Sequence, residues 1–253
     1  MFGGRRPRLS TSGAGAVAAL AVVSLASTAR AYRPFDQTDA DVVEQHEVEL
    51  EIGPVALQRS QDELVVVAPS LVVNYGLAAG VELVLEGKNE RAFASTGSTP
   101  DRRWKPRDLA ISIKAVVRRG SLQGEGGPSI ALEPSVLLPG RDQGGVGGQV
   151  GLIVSVAGDT GALHFNVVPG VSRTHAAAAA LAVIAEGPRA WRVRPVAEAE
   201  YYEERGLTGV PSALGGFIGR GGESWTFDAA VRLERADQTI VEARAGLTWA
   251  FGS

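Results

Sequence analysis

The sequence predicts an all-β fold, a transmembrane antiparallel up-and-down β-barrel of about twelve strands. Three observations predict it. Apolar and polar residues alternate with period two in one segment after another, and an extended strand sends two such sets to opposite faces. The alternating segments are long, mostly ten residues or more, whereas strands of water-soluble proteins peak at ~5–6 residues and bilayer-crossing strands need ~9–11. Their number is even, the rule for single-chain bacterial barrels.

Bulk composition sets outer bounds. The chain has 253 residues, no cysteine, three histidines and a formal net charge of −3. The absence of cysteine excludes a disulfide framework, a thiol nucleophile, a cysteine metal site and a lipid-anchoring cysteine. The three histidines, His46, His164 and His175, are scattered. A near-neutral charge lacks the electrostatic footprint of nucleic-acid binding. No cofactor is implied.

Residues 1–31 read as a cleaved export signal. Arg5, Arg6 and Arg8 precede an apolar stretch from Ala14 to Ser27, and Ala29-Arg30-Ala31 has the form of a cleavage site. The stretch is shorter than the ~20 apolar residues of a spanning helix. Residues 32–41 then read as a periplasmic N-terminal segment and 42–253 as the barrel.

The predicted strands, in order, are 42–52, 63–75, 80–89, 108–119, 128–138, 148–157, 161–172, 179–187, 190–202, 209–220, 223–235 and 240–251. Val48, Leu50 and Ile52 alternate with Glu47, Glu49 and Glu51 in the first. In the ninth, Trp191, Val193, Ala197, Ala199 and Tyr201 alternate with Arg192, Arg194, Glu198 and Glu200. In the last, Val241, Ala243, Leu247, Trp249 and Phe251 alternate with Glu242, Arg244 and Thr248. Ala176 to Ala185 has a helix-like composition but is short and uncapped. With odd strands rising, the longest connection, 90–107, falls on the outward side with 139–147 and 172–178. Most of the other side is closed by short turns, except for a longer 120–127.

Aromatic placement fits a membrane slab. Trp191 and Tyr201 lie ten residues apart on one phase. At ~3.3 Å per residue and ~40° tilt this spans about 25 Å, the height of a band between aromatic girdles. Trp225, Trp249 and Phe251 join them as membrane-interface candidates.

The polar phase then lines the lumen. The lumen charges singled out as pore-lining or substrate-contacting residues are Glu86, Lys114, Glu133, Arg194, Glu198 and Arg244. Acids outnumber bases on this phase, which favours cations if the lumen conducts. Glu242 and Arg244 are placed to meet Arg232 and Asp228 on the strand before, as cross-strand ion pairs. No catalytic residue is assigned and the chain does not read as an enzyme. His164 beside Asn166 reads as a hydrogen-bonded lumen histidine, and nothing around Ser155 or Ser172 has a nucleophile motif.

Two stretches carry resemblances. Arg244-Ala245-Gly246-Leu247-Thr248-Trp249-Ala250-Phe251 resembles the C-terminal outer-membrane assembly signal, which implies recognition of the last strand by the barrel-assembly machinery. Arg33-Pro34-Phe35-Asp36-Gln37-Thr38-Asp39-Ala40, followed by Glu47-Val48-Glu49-Leu50-Glu51, resembles the opening of the MetA-pathway phenol-degradation family of outer-membrane barrels. That resemblance implies residence in a bacterial outer membrane, contact with its lipid, and a passive channel or transporter for a small hydrophobic or aromatic solute. The competing readings are a closed structural or adhesive barrel with a charge-plugged lumen, and a soluble periplasmic β-sandwich binding protein.

Overall fold

A computed structural model describes residues 33–95 and 102–252. Twelve strands pair in sequence order, each antiparallel to the next, and β1 closes on β12. They are β1 (Glu47–Arg59), β2 (Glu63–Ala78), β3 (Val81–Ser95), β4 (Lys105–Arg118), β5 (Ser129–Leu137), β6 (Gly147–Gly158), β7 (Gly161–Val171), β8 (Ala177–Glu186), β9 (Val193–Glu204), β10 (Val210–Arg220), β11 (Trp225–Arg235) and β12 (Thr239–Gly252). Closure leaves no unpaired strand edge.

The apolar phase faces out. On β7, Leu163, Phe165 and Val167 are each more than two-fifths exposed, while His164 and Asn166 between them are buried. On β12, Leu247 and Trp249 are exposed and Thr248 is 0 % exposed. This polarity is the reverse of a water-soluble sandwich and belongs to a barrel whose outer band meets hydrocarbon. Trp191 is 56 % exposed and Tyr201, Trp225 and Trp249 are also exposed. Trp225 pairs with Trp249 across β11 and β12. The Phe251 ring lies 5.0 Å from Trp249. Trp191 sits in the turn before β9, not on the strand.

Ala177–Glu186 is a strand despite its alanine content. Both edges of β8 are paired, to β7 and β9, and this ladder overrides helix propensity. Pro54 and Pro69, which cannot donate to a ladder, fall at adjacent register shifts in β1 and β2.

Several boundaries differ from the sequence expectation. The 90–107 connection is shorter, because β3 runs to Ser95 and β4 starts at Lys105, with Glu90 paired to Lys105; residues 96–101 lie outside the described set. The 119–128 connection folds back at the end of the barrel where β1 begins and β12 ends, and its 3₁₀ turn Ser121–Gln123 buries Leu122. The first strand begins at Glu47 rather than 42, and the residues before it do not hang outside the barrel. They lie inside it. The expected signal, 1–31, is outside the described residues.

Candidate functional site

Residues 33–46 thread the lumen, held by groups from both halves of the wall. The guanidinium of Arg33 donates to Ser70 Oγ at 3.0 Å and stands 3.7 Å from Asp228. It fits because Gly53 and Gly246 lack a Cβ: one built on Gly53 would fall on Arg33 and Ser70, and one on Gly246 on Arg33 and Asp228. Phe35 packs on Val196 and Ile218. The Glu198 carboxylate accepts two successive backbone N–H groups, from Asp36 at 2.9 Å and Gln37 at 3.0 Å. Asp36 pairs with Arg232 and Arg244, each at 2.8 Å.

Further along, Lys114 donates to Thr38 Oγ1 at 3.0 Å, and Asn166 Nδ2 donates to the Thr38 carbonyl at 2.9 Å. Asp39 stands 3.8 Å from Lys114 and 3.3 Å from Arg189. Ala40 seats against Leu122, Ala131 and Ile153 and donates its N–H to Ser155 Oγ at 2.9 Å. Gln123 from the 3₁₀ turn reaches the Ala40 carbonyl and Asp41. Val43 N–H ends on Glu82 at 2.7 Å. Each of these bonds satisfies a backbone or charged group that would otherwise be buried alone, a cost of about 1–3 kcal/mol apiece.

Ser155, His164 and Glu186 form a hydrogen-bonded row across β6, β7 and β8. Ser155 Oγ lies 2.8 Å from His164 Nδ1, and His164 Nε2 lies 3.1 Å from Glu186 Oε1. A carboxylate only accepts, so Nε2 carries a proton toward Glu186, while Nδ1 shares a hydrogen bond with the serine hydroxyl. The order is that of a hydrolytic triad. The serine, however, is 0 % exposed and its oxygen already accepts from Ala40, so the row holds the segment and presents no nucleophile to a substrate. Arg194 continues the row at 2.7 Å from Glu186.

Two cavities remain beside the segment. One, about 310 Å³, lies toward the end where β1 begins and β12 ends and is lined by Glu47, Glu49, Glu51, Glu82, Glu86 and Glu133, with Lys114 as its one base among the described residues. The other, about 630 Å³, lies toward the opposite end against Asp108, Asp142, Arg173, Glu200, Tyr202 and Glu204. Asp36, Gln37, Glu86, Gln149 and Val168 line both. Those five residues stand between the two cavities.

The six lumen charges named from sequence sort into separate roles. Glu86, Lys114 and Glu133 line the smaller cavity. Arg194 belongs to the serine–histidine row, and Glu198 and Arg244 hold the N-terminal segment. Arg192, on the polar phase and so also expected inside, is exposed. The expected pairing of Glu242 and Arg244 with Arg232 and Asp228 is replaced. Arg244 pairs with Glu242 on its own strand at 2.6 Å, Arg232 pairs with Glu234 at 2.9 Å, and the remaining partners, Asp36 and Arg33, come from the segment. Sequence reading missed Asp36, Asp39, Gln123 and Ser155. The one available signal was a compact polar run, 36–39, flanked by Phe35 and Ala40 and sitting next to a lumen short of partners.

This geometry has relatives among solved structures. The fold is that of outer-membrane channels. The COG4313 outer membrane channel from Pseudomonas putida F1 superposes with a TM-score of 0.59 at 9% identity, over 86% of this chain and 99% of that one. The NanC porin gives 0.57 at 5% identity, over 80% and 98%. The KdgM porin gives 0.53 at 12% identity, over 79% and 98%. No family model matches the chain and no curated protein matches it. The resemblance to the phenol-degradation family therefore rests on the N-terminal residues that carry it.

Proposed function

We propose that this protein is a passive outer-membrane channel for small hydrophilic solutes, with a preference for cations, and that solutes pass between the N-terminal segment and the wall formed by β1 to β9. The observation that carries this reading is the pair of cavities, one toward each end of the barrel, separated by no more than the shared lining of Asp36, Gln37, Glu86, Gln149 and Val168. A lumen lined by acids raises the local cation concentration and disfavours anions. A hydrophobic or aromatic solute, implied by the N-terminal resemblance, would meet Phe35, Val72, Val84, Ile153 and Val168 set among carboxylates on this route. In this reading residues 1–31 are the cleaved export signal, lipid solvates the outer band, and β12, ending in Trp249-Ala250-Phe251, is the strand offered to the assembly machinery.

A second reading is favoured by one observation. Residues 33–43 bond to side chains from nearly every side of the barrel, so the segment is built as a stopper and the barrel is closed at rest. Planar-bilayer recording distinguishes the two. The channel reading expects small unitary currents from the intact barrel and a reversal potential shifted toward that of K⁺ in a KCl gradient. Current only after residues 32–44 are deleted supports the closed barrel; no current from either form refutes the channel.

A further inference from the structure

We propose that the outer surface of the β3–β4 pair, at the barrel end away from the start of β1, binds the phosphate of a membrane lipid. Arg91 is the donor, and Phe93 and Trp104 are the walls that hold it. The inference rests on the membrane placement of the barrel and is independent of whether the lumen conducts.

Arg91 stands near the end of β3 and faces away from the lumen. Glu90 before it pairs with buried Val67 and meets Arg107 at 2.6 Å, so the next side chain turns to the other face. Phe93, two positions on along that face, is exposed. Across one ladder Arg91 lies opposite Val66 of β2. Across the other, Glu90 pairs with Lys105, which sets Arg91 beside Trp104, also exposed. A cation is thus set into an apolar and aromatic stretch of the outer wall.

The Arg91 guanidinium carbon lies 5.0 Å from the centre of the Phe93 ring and 5.9 Å from that of Trp104, both within the ~6 Å of a cation–π contact. Among the described residues no carboxylate lies within 4.0 Å of it, and its Nε is buried without a hydrogen-bond partner. Ring contacts occupy the face of a guanidinium, whereas its N–H donors lie in its plane and stay available. A charged group with unused donors at a hydrocarbon boundary is costly, and a pair of anionic oxygens removes that cost. The planar fork of an arginine matches phosphate bidentately.

The surroundings select a phosphate carried on a lipid. Leu71, Leu85 and Ile111, exposed on the same outer face of β2, β3 and β4, continue the apolar band from Arg91 toward the middle of the wall. Acyl chains attached to the phosphate would lie along them, and a free phosphate would gain nothing from that surface. Exposed Arg102, close to Trp104 in the chain, keeps the watery side of the site positive.

The test is native mass spectrometry of the detergent-solubilised barrel titrated with dioleoyl phosphatidic acid, a lipid phosphate monoester. One bound lipid per barrel is expected at concentrations where dioleoyl phosphatidylcholine, whose phosphate is balanced by its own cation, stays unbound. Arg91→Gln should raise the half-saturating concentration at least about ten-fold, and Trp104→Leu about three-fold. Arg235→Gln, at an exposed arginine near the same end on β11, should leave it unchanged. Equal binding by Arg91→Gln and the wild type, an equal loss in Arg235→Gln, or no preference over phosphatidylcholine overturns the site. Inorganic phosphate in large excess should not displace the lipid; displacement assigns the contact to free phosphate and overturns the lipid as occupant. Retained heat-modifiable migration on gels verifies that each variant is folded. The membrane placement has its own test in Phe165→Arg, so a failure there and a failure of the lipid site are told apart.

Discussion

Asp36 and Arg244, 208 residues apart in the chain, meet inside the barrel, with Arg244 Nη1 donating to Asp36 Oδ1 at 2.8 Å. The same nitrogen donates to the Pro34 carbonyl at 2.9 Å. One arginine of the last strand thus grips both the backbone and a side chain of a segment that precedes the first. Arg232 closes on the other carboxylate oxygen at 2.8 Å. Removing Asp36 would leave two arginines facing the lining that the cavities share. Asp36→Ala is expected to enlarge the unitary current and shift selectivity toward Cl⁻, read as a change in reversal potential. An unchanged reversal potential would count against Asp36 lying on the conducting path.

The same contact sets a pH dependence. Burial by itself would push the Asp36 carboxyl up, but Arg244 and Arg232 outweigh it and hold the group below its ordinary value of 3.8. A depressed folded-state value stabilises the held segment above the unfolded pKa, and that contribution is lost as pH falls through the lowered one. Current carried by the intact barrel should therefore show no Asp36-dependent change from pH 8 to pH 5. A further opening should appear only at pH below the ordinary carboxylate range of ~4. Asp36→Asn should abolish that acid step, and persistence of the step in Asp36→Asn would assign it to another acid.

The seat of Arg33 depends on two missing side chains. A Cβ at Gly246 would land on Arg33 Nε and Asp228 Oδ2. Gly246→Ala should dislodge the start of the segment while the barrel stays folded. Larger current with unchanged gel mobility is the expected result, and wild-type current would show that Arg33 does not need this seat.

Ser155→Ala removes an oxygen that accepts from Ala40 and bonds to His164. Both partners are buried. The cost should be about 1–3 kcal/mol of unfolding free energy, measured by urea titration of the barrel in lipid vesicles. A change within about 0.5 kcal/mol, the range of an ordinary surface substitution, would mean the row is not part of what holds the segment.

Membrane placement is tested from the outside. Phe165 is 44 % exposed on the outer surface of β7. Phe165→Arg should lower folding stability in vesicles by about 2–4 kcal/mol, the cost of a cation near the bilayer midplane. A surface facing water would tolerate the change.

Much of the wall was legible in the sequence. Leu163, Phe165 and Val167 against His164 and Asn166 define two faces with no knowledge of neighbours, and the same holds for Leu247 and Trp249 against Thr248. The start of β1 was misplaced because Val42 and Val43 extend the apolar count into a segment whose backbone N–H groups go to side chains such as Glu82, not to a ladder. The length of β3 and β4 was underestimated because Glu90 and Lys105 are polar on a stretch that still pairs. The lumen charges were found, but their partners were misassigned. Arg232 and Arg244 look like partners for acids on neighbouring strands until Asp36 is placed between them.

Strand direction is a local property: the pleat turns each successive side chain to the other face, so alternation alone determined twelve strands, an apolar exterior and a charged interior. What fills that interior is not local. Only closure of β1 on β12 creates a lumen of fixed width, and only in that lumen does a short N-terminal run find Arg33, Asp36 and Ala40 their seats. The charges inside a barrel must be satisfied by whatever part of the chain can reach them, and that is decided in three dimensions.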